Sequence, residues 1–461
     1  MTTKRWIEKK PKDSKSIAQD FRSFLFLLEE EEELVKISKS VSTKFELAAV
    51  VSKLEGKQAV LFEKINESQF KVASNVIGTR RRFSLALATK EQDLIDSRLL
   101  QSNAEIFEPK KMSGEAPFYE NCSNDLNELP IITHFEKDAG PYITSSIVFA
   151  KDLEKRTQNS STHRLLKIDD KNMVIRMVEG RHLHKCYCSA VEHGEDLKVA
   201  ITIGVHPAVS IAAAYQAAYG LDEMLIANSL LDGELTVSKN HYSQLYIPTY
   251  SEIVLEGRIL KDKTGDEWMV ETLRTYDFKR KQPIFELDRM RFRNRAIFHD
   301  ILPGFAEHRL LMGLPVEAKM LQGVKNVVPT TKTVYLTDGG SNWLDAVIQI
   351  RKRLEGEPKN ALLAAFASHP SLKIAIVVDE DIDPRDPSAV EYAISTRCQP
   401  DKGVMIVSNV KGSSLDPSSD QANLVTTKIG IDATATLLKP KERFEVAKIP
   451  GQEKIKLSNY L

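Results

Sequence analysis

The chain has 461 residues, 42% of them hydrophobic and 28% charged, with 64 basic side chains against 64 acidic ones. That length asks for two or three cores, the composition is that of a globular protein, and the cancelled charge leaves no global field for nucleic acid or an anionic membrane. No apolar run approaches the roughly 20 residues of a membrane span. The basic, polar start from Met1 to Lys15 lacks the apolar core of a secretion signal, so the expected location is cytoplasmic. Four cysteines, Cys122, Cys186, Cys188 and Cys398, are too sparse for a disulfide framework.

Phe21, Phe24, Leu25 and Leu28 recur at helical spacing, which predicts an amphipathic helix over 16–35 with the acidic run Glu29 to Glu33 as its solvated end. Thr43-x-x-Glu46 has the form of a capping box opening a second helix through Leu54. Val60-Leu61-Phe62 and Val72 to Val76 read as strands, and Arg80-Arg81-Arg82 as a solvated helix start rather than a phosphate site. Residues 1–112 thus form a small α/β unit. Over 113–312 strand signals dominate, at 143–150, 164–168, 173–178, 199–204, 252–259 and 283–288. Helical stretches at 181–193 and 208–230 interrupt them, and the combination suggests a barrel or split barrel. Over 313–461, helical 341–354 and 358–369 alternate with strands 372–378 and 403–407, as in an open α/β domain. The Asp379-Glu380-Asp381-Ile382-Asp383 cluster reads as a strand end and helix cap rather than a magnesium site.

The densest chemistry lies in Asn159-Ser160-Ser161-Thr162-His163-Arg164, followed by Gly180-Arg181-His182-Leu183-His184 and the pair Asp222-Glu223. An amide oxygen, an imidazole and a carboxylate suit a hard or borderline divalent cation. Arginine and hydroxyls beside such a cation suit a phosphate, and the two together suggest a phosphorylated cofactor. Spacing alone leaves Asn159 as a turn residue, His182 as a helix start and Glu223 as a solvated helix position. A zinc-dependent hydrolase built on His182, His184, Cys186 and Cys188 requires a strand, which puts all four on one face. Gly194 as a C-cap, and the lack of β-branched residues between 181 and Val191, favour a helix instead. The cysteines then serve packing, and His184 points away from His182.

Gly140-Pro141-Tyr142-Ile143-Thr144-Ser145, Asn159-x-Ser161-x-x-Arg164 and Gly180-Arg181-His182 resemble the UbiD family of decarboxylases. So do Ile253-Val254-Leu255-Glu256-Gly257, His299-Asp300-Ile301-Leu302-Pro303-Gly304, Val377 to Asp383 and Thr427 to Thr434, in order along nearly the whole chain. The resemblance implies a mixed α+β and α/β architecture. Its parts are an N-terminal α/β domain (1–112), a split β-barrel that binds flavin (113–312) and a C-terminal α/β domain (313–461) with a part in oligomerisation. It implies prenylated FMN as cofactor, gripped through a divalent cation, Mn2+ or Mg2+, at Asn159, His182 and Glu223, with K+ as an optional companion. Ser161, Thr162, His163, Arg164 and Arg181 would line the cofactor, and Lys428 would approach it from the C-terminal domain. A homo-oligomer, and a flavin prenyltransferase that supplies the cofactor, are further implications.

The acid segment departs from the family pattern. The usual Glu-Gly-Pro-Phe-Gly-Glu is replaced by Gly265-Asp266-Glu267-Trp268-Met269-Val270-Glu271. Glu271 matches the second, proton-handling glutamate. The first acid is Asp266 without a gap, or Glu267 if one residue has been lost. The implied catalytic set is therefore Arg164, Glu271 and one of Asp266 and Glu267. Decarboxylation leaves an electron pair on carbon that no side chain can accept, so an electron-sink cofactor is needed, followed by a proton donor. Glu271 held beside Arg164 suits that donor. The implied reaction is a reversible, non-oxidative decarboxylation of an α,β-unsaturated or aromatic acid. Thr275-Tyr276-Asp277-x-x-Arg280-x-Gln282-Pro283 resembles an archaeal branch that acts on trans-anhydromevalonate 5-phosphate in isoprenoid synthesis, where Arg280 or Lys279 would hold the substrate phosphate. Other branches act on 4-hydroxybenzoates, including 3-polyprenyl-4-hydroxybenzoate in quinone synthesis. A flavin-binding subunit without catalysis is the alternative of another class. It is separated by whether Glu271 and an acid at 266 or 267 both face Arg164.

Overall fold

The computed structural model describes residues 20–100, 106–215 and 217–461. The chain divides into two compact units, Met1–Ala318 and Lys319–Leu461.

The first unit opens with α1 (Phe21–Glu30), which buries Phe21, Phe24, Leu25 and Leu28. Asp20 caps it, accepting from Ser23 N, and Ser23 closes the capping box. Residues 16–19 of the expected helix lie outside the described residues. The helix also ends before 35, because Glu32 turns left-handed (φ 59°) and Leu34–Ile37 forms β1. Next comes α2 (Glu46–Lys53). Thr43-x-x-Glu46 is not its capping box, since Ser42 N donates to Glu46 Oε2 at 2.9 Å and Phe45 is the N-cap. The strands β2 (Ala59–Phe62) and β3 (Lys71–Ser74) follow, then α3 (Arg80–Ala86), capped by Thr79. The start of α3 is not solvated throughout. Arg82 is fully buried against Glu33 at 3.0 Å, and Arg80 pairs with Glu317 at 2.5 Å.

The β-rich region supplies β4 (Lys110–Lys111), β5 (Asn121–Ser123), β6 (Tyr142–Lys151), β7 (Gln158–Lys167) and β8 (Asn172–Ile175). After α4 (His182–Glu192) come β9 (Leu197–Ile203), α5 (Pro207–Ala214) and α6 (Glu223–Leu230). Then follow β10 (Thr236–Lys239), β11 (Tyr246–Pro248), β12 (Ile253–Glu267), β13 (Arg280–Phe292) and β14 (Ile297–Asp300). The order β12-β9-β6-β7-β8-β13, with β12 also paired to β13, closes a six-stranded barrel. Its interior is filled by inward residues such as Val148, Val199, Ile201, Leu255 and Phe285. Closure depends on Gly257 at a bulge between β12 and β13, where a Cβ would lie 2.2 Å from Glu286 O. The chain then returns through β14, which extends the first sheet in the order β1-β2-β3-β14. The expected boundary at 112 therefore lies inside one compact unit.

One expected helix, 208–230, is two. Pro207 starts α5 and the helix stops at Ala214; Asp222 caps α6 by accepting from Met224 N at 2.9 Å. Glu223 consequently sits in the first turn of a helix rather than on a solvated middle turn.

The helix α7 (Ala306–Val327) contains the division between the units. The second unit has β15 (Thr331–Leu336), β16 (Asp345–Ile350), α8 (Glu357–Ser368), β17 (Ile374–Asp379), α9 (Pro387–Arg397), β18 (Val404–Lys411) and β19 (Val425–Ala433). Its sheet order is β15-β16-β17-β19-β18. The expected helix at 341–354 is β16. A short apolar run flanked by strands on both sides lacks the alternation that would separate it from a buried helix. The acidic cluster is a strand end: Asp379 and Asp381 each hold Arg397 at 2.7 Å, and Asp386 caps α9. Among the described residues no helix is long and apolar enough to cross a membrane.

Candidate active site

A cavity of about 380 Å³ opens in the first unit. That volume is in the range of small-molecule and cofactor pockets. Its wall carries Asn159, Ser161, Thr162, His163 and Arg164 from β7, together with Arg176, Arg181, His182, Glu223, Glu271 and His308.

The first polar cluster joins three elements. Glu223 is 2% exposed in the first turn of α6. Its Oε1 accepts from Asn159 Nδ2 at 2.9 Å and lies 3.5 Å from His182 Nδ1, where α4 begins. Its Oε2 accepts from Ser160 N at 2.8 Å. No lysine or arginine pairs with Glu223 among the described residues, so a buried carboxylate here lacks a strong counter-charge. An amide, an imidazole and a carboxylate converging on that spot match the needs of a divalent cation. The zinc alternative is removed by α4 itself: the helix turns Cys186 into the core, and His184 lies against Cys188 Sγ at 3.6 Å. Among the described residues no three His, Cys, Asp or Glu side chains gather as a metal site.

The second cluster centres on Arg164. Its Nε donates to Glu267 Oε1 at 2.6 Å and its Nη2 to Glu267 Oε2 at 3.0 Å. Nη1 donates to Glu271 Oε1, and Nη2 also reaches Asp277 Oδ2 at 3.2 Å. Tyr142 Oη donates to Glu267 at 3.2 Å. Successive residues of a strand point to opposite sides, and this decides the first acid. At the end of β12 Glu267 is 0% exposed on Arg164, whereas the Asp266 side chain is 43% exposed and pairs with Lys279 at 2.8 Å. Asp266 is thus not part of the arginine–carboxylate cluster.

The N-terminal, Rift-related and C-terminal domains of the UbiD family, 3-octaprenyl-4-hydroxybenzoate carboxy-lyase, match residues 25–99, 110–306 and 309–433. The chain belongs to the UbiD family. Anhydromevalonate phosphate decarboxylase of Methanocaldococcus jannaschii is 44% identical over 411 residues, covering 89% of this chain and 96% of the relative. The enzyme of the same description from Methanothermobacter thermautotrophicus is 41% identical, covering 88% and 95%. The UbiD-class enzyme HmfF from Pelotomaculum thermopropionicum, solved in complex with FMN, superposes with a TM-score of 0.93 at 38% identity, covering 96% of this chain and 100% of that one. An evolved dimeric form of HmfF in complex with prFMN gives a TM-score of 0.88 at 35% identity, covering 96% of this chain and 100% of that one.

Within this UbiD carboxy-lyase the remaining expected residues separate into three groups. Ser161, Thr162, His163 and Arg181 line the cavity with Arg164. The His163 ring is neutral, pushed down to about 4 by burial. Its Nδ1–H donates to Arg176 O at 2.8 Å, and Nε2 accepts from the Ser161 hydroxyl at 2.8 Å. Lys428 is placed differently: in the second unit its Nζ donates to Pro370 O and Leu372 O, each at 2.6 Å, so two carbonyls of that unit engage the ammonium expected to meet cofactor. The two cations expected to hold a substrate phosphate are also engaged elsewhere. Lys279 pairs with Asp266, Arg280 pairs with Asp277 at 2.8 Å, and neither lines the cavity.

Three residues that motif reading passed over belong to the site. Asp277 stood in the sequence only as part of a branch signature, yet it bridges Arg164 and Arg280. Arg176 lines the cavity one strand away from Arg164. His308 lies four residues beyond the His299 to Gly304 motif. Gly304 takes a left-handed φ of 74°, and its N–H donates to His308 Nδ1 at 3.0 Å. Burial and the Arg164 charge push this imidazole down to about 4, so it is neutral with its proton on Nε2. It is therefore a hydrogen-bond donor in the cavity wall.

Burial, aided by Asp277, raises the Glu271 pKa against the opposing pull of Arg164. The family resemblance implies Glu271 as proton donor, and a donor works from its protonated form. The basic limb of kcat/KM is therefore expected to fall at a pH above the ordinary glutamate value of about 4.3. A pH–rate profile checks this, and a basic limb at or below that value contradicts it.

Proposed function

We propose that the protein decarboxylates trans-anhydromevalonate 5-phosphate with prenylated FMN and a divalent cation, Mn2+ or Mg2+. The observation that carries this reading is one cavity wall holding both Arg164, clasped by Glu267 and Glu271, and the Asn159–His182–Glu223 cluster. The relatives of the anhydromevalonate phosphate group support the substrate. The HmfF complexes support the cofactor.

Prenylated FMN, when bound, supplies the electron sink that cleavage of a carbon–carbon bond to CO2 requires. Asn159, His182 and Glu223 would hold the cation and through it the flavin phosphate, with Ser161, Thr162, His163 and Arg181 beside the flavin. Neutral amide and imidazole ligands with a single carboxylate leave positive charge on the cation for that phosphate. Glu267 holds Arg164 with a two-pronged contact, which fixes the fork. Arg164 in turn orients Glu271 at the cavity wall. Glu271 gives its proton to the carbon that has lost CO2 and recovers one from solvent. In the carboxylation direction it removes that proton. A flavin prenyltransferase supplies the cofactor, and copies of the chain associate, in this reading.

Co-production with a flavin prenyltransferase tests cofactor and metal together. The purified protein is expected to carry prenylated FMN, by visible spectrum and mass, and a divalent cation, by elemental analysis. Glu223→Gln removes the cluster's charge. It is expected to lower the cation and flavin content by at least about tenfold at preserved fold. Full flavin occupancy in Glu223→Gln contradicts the assigned cation site.

A further inference from the structure

His308 brings the cavity a hydrogen-bond donor that the protein itself does not use. It stands in the first turn of α7, with Leu311 and Met312 one turn further along the same face, and all three line the cavity. The wall beside them is apolar, with Val270 and Ile301. Nδ1 accepts the Gly304 N–H at 3.0 Å, which fixes the tautomer and leaves the proton on Nε2. Among the described residues no acceptor meets that Nε2–H. The residue is only partly exposed, so the donor faces the cavity rather than open solvent. Burial, then the charges of Arg164 and Arg309, keeps the ring neutral. Arg164 by contrast is almost fully engaged. Its Nε and Nη2 serve Glu267, Nη2 also serves Asp277, and Nη1 serves Glu271, which leaves only the second Nη1–H. Three carboxylates around one guanidinium also leave little positive charge for another anion.

We infer that His308 donates its Nε2–H to the carboxyl group that the substrate loses, and so orients the carbon–carbon bond that breaks. This rests on the decarboxylase reading above. A carboxylate entering the cavity has two oxygens to satisfy. The remaining Nη1–H of Arg164 can serve one of them, and His308 serves the other. The carboxyl group belongs at this end of the cavity because Glu271, which returns a proton to the same carbon, is held there by Arg164. A neutral donor suits the step. The carbon–carbon bond breaks, its electron pair passes to the cofactor, CO2 departs uncharged and Glu271 supplies the proton. Negative charge therefore leaves the carboxyl group on the way to the transition state. A cation fixed on that group would stabilise the starting acid more than the transition state, whereas an uncharged N–H orients it with a smaller opposing effect. Leu311 and Met312 keep water from the same place, which strengthens the hydrogen bond.

The test compares wild type, His308→Phe and His308→Gln, each loaded with prenylated FMN. Phenylalanine keeps an aromatic ring and removes the donor, and glutamine restores an N–H near the place of Nε2. His308→Phe is expected to lower single-turnover CO2 release by roughly 10- to 100-fold, as befits a lost hydrogen bond to a charged group, and His308→Gln to recover most of it. The loss should be equal for trans-anhydromevalonate 5-phosphate and for the same acid without phosphate, because the two share the carboxyl group. Calorimetric binding of the phosphorylated acid to His308→Phe should weaken by less than the rate falls, and binding of the decarboxylated product should not change. Unchanged flavin content in both variants shows that the fold and the cofactor site are intact. An unchanged rate in His308→Phe, a loss confined to the phosphorylated acid, an equal weakening for acid and product, or a fall in flavin content overturns the inference while leaving the decarboxylase reading intact. A loaded wild type that releases CO2 from neither acid overturns both.

Discussion

Glu271→Gln is expected to lower turnover by roughly 10²- to 10⁴-fold, the usual contribution of a well-placed general acid. Glutamine keeps the shape of the side chain and can still accept a hydrogen bond from Arg164. It cannot deliver a proton to carbon. Flavin and cation should remain bound, since Asn159, His182 and Glu223 are separate from this carboxylate. Exchange of solvent hydrogen into the product should fall with turnover. Single-turnover rates, together with flavin content, check this result. Near-normal turnover in a flavin-loaded Glu271→Gln would remove this residue from the proton-handling role and pass it to Glu267 or Asp277.

Arg164→Ala is expected to be more damaging than Glu271→Gln, and on more measures. Glu267 is fully buried, and its partners are Arg164 and Tyr142. Removing the guanidinium leaves that charge uncompensated, and breaking a buried pair in this way costs about 3–5 kcal/mol. Glu271 simultaneously loses the group that orients it and counters the burial that raises its pKa. The variant should therefore melt earlier and turn over more slowly than Glu271→Gln. Asp266→Asn is the control, since Asp266 touches Lys279 at the surface rather than Arg164. A comparable loss in Asp266→Asn would return it to the catalytic set.

That Asn159, His182 and Glu223 meet in one polar cluster was legible because the residue types were chemically restrictive and fell in a family order. Asn159, His182 and Glu223 meet across 64 residues of chain, a distance that only matching motifs could bridge. Which of Asp266 and Glu267 faces Arg164 was not legible. Asp266 and Glu267 differ by one residue, and only the pleat of β12 determines which faces inward. The neighbours of Lys279 and Arg280 were hidden for a related reason. A basic run suggests an anion site until its neighbours are known, and here Asp266 and Asp277 already occupy it. Arg176 and His308 gave no motif signal, because their significance comes from what stands opposite them in the fold. In the second unit β16 was misread as helix for want of alternation, while β17 and α8 carried enough length and apolar patterning to be found.

In the proposed function Arg164, Glu267 and Glu271 serve decarboxylation of a phosphorylated unsaturated acid. Its most direct test is CO2 release by protein loaded with prenylated FMN, given trans-anhydromevalonate 5-phosphate and 4-hydroxybenzoate in parallel. The expected result is cofactor-dependent CO2 release from the phosphorylated acid, with little from 4-hydroxybenzoate. Release from 4-hydroxybenzoate alone, or from neither acid by fully loaded protein, contradicts the account.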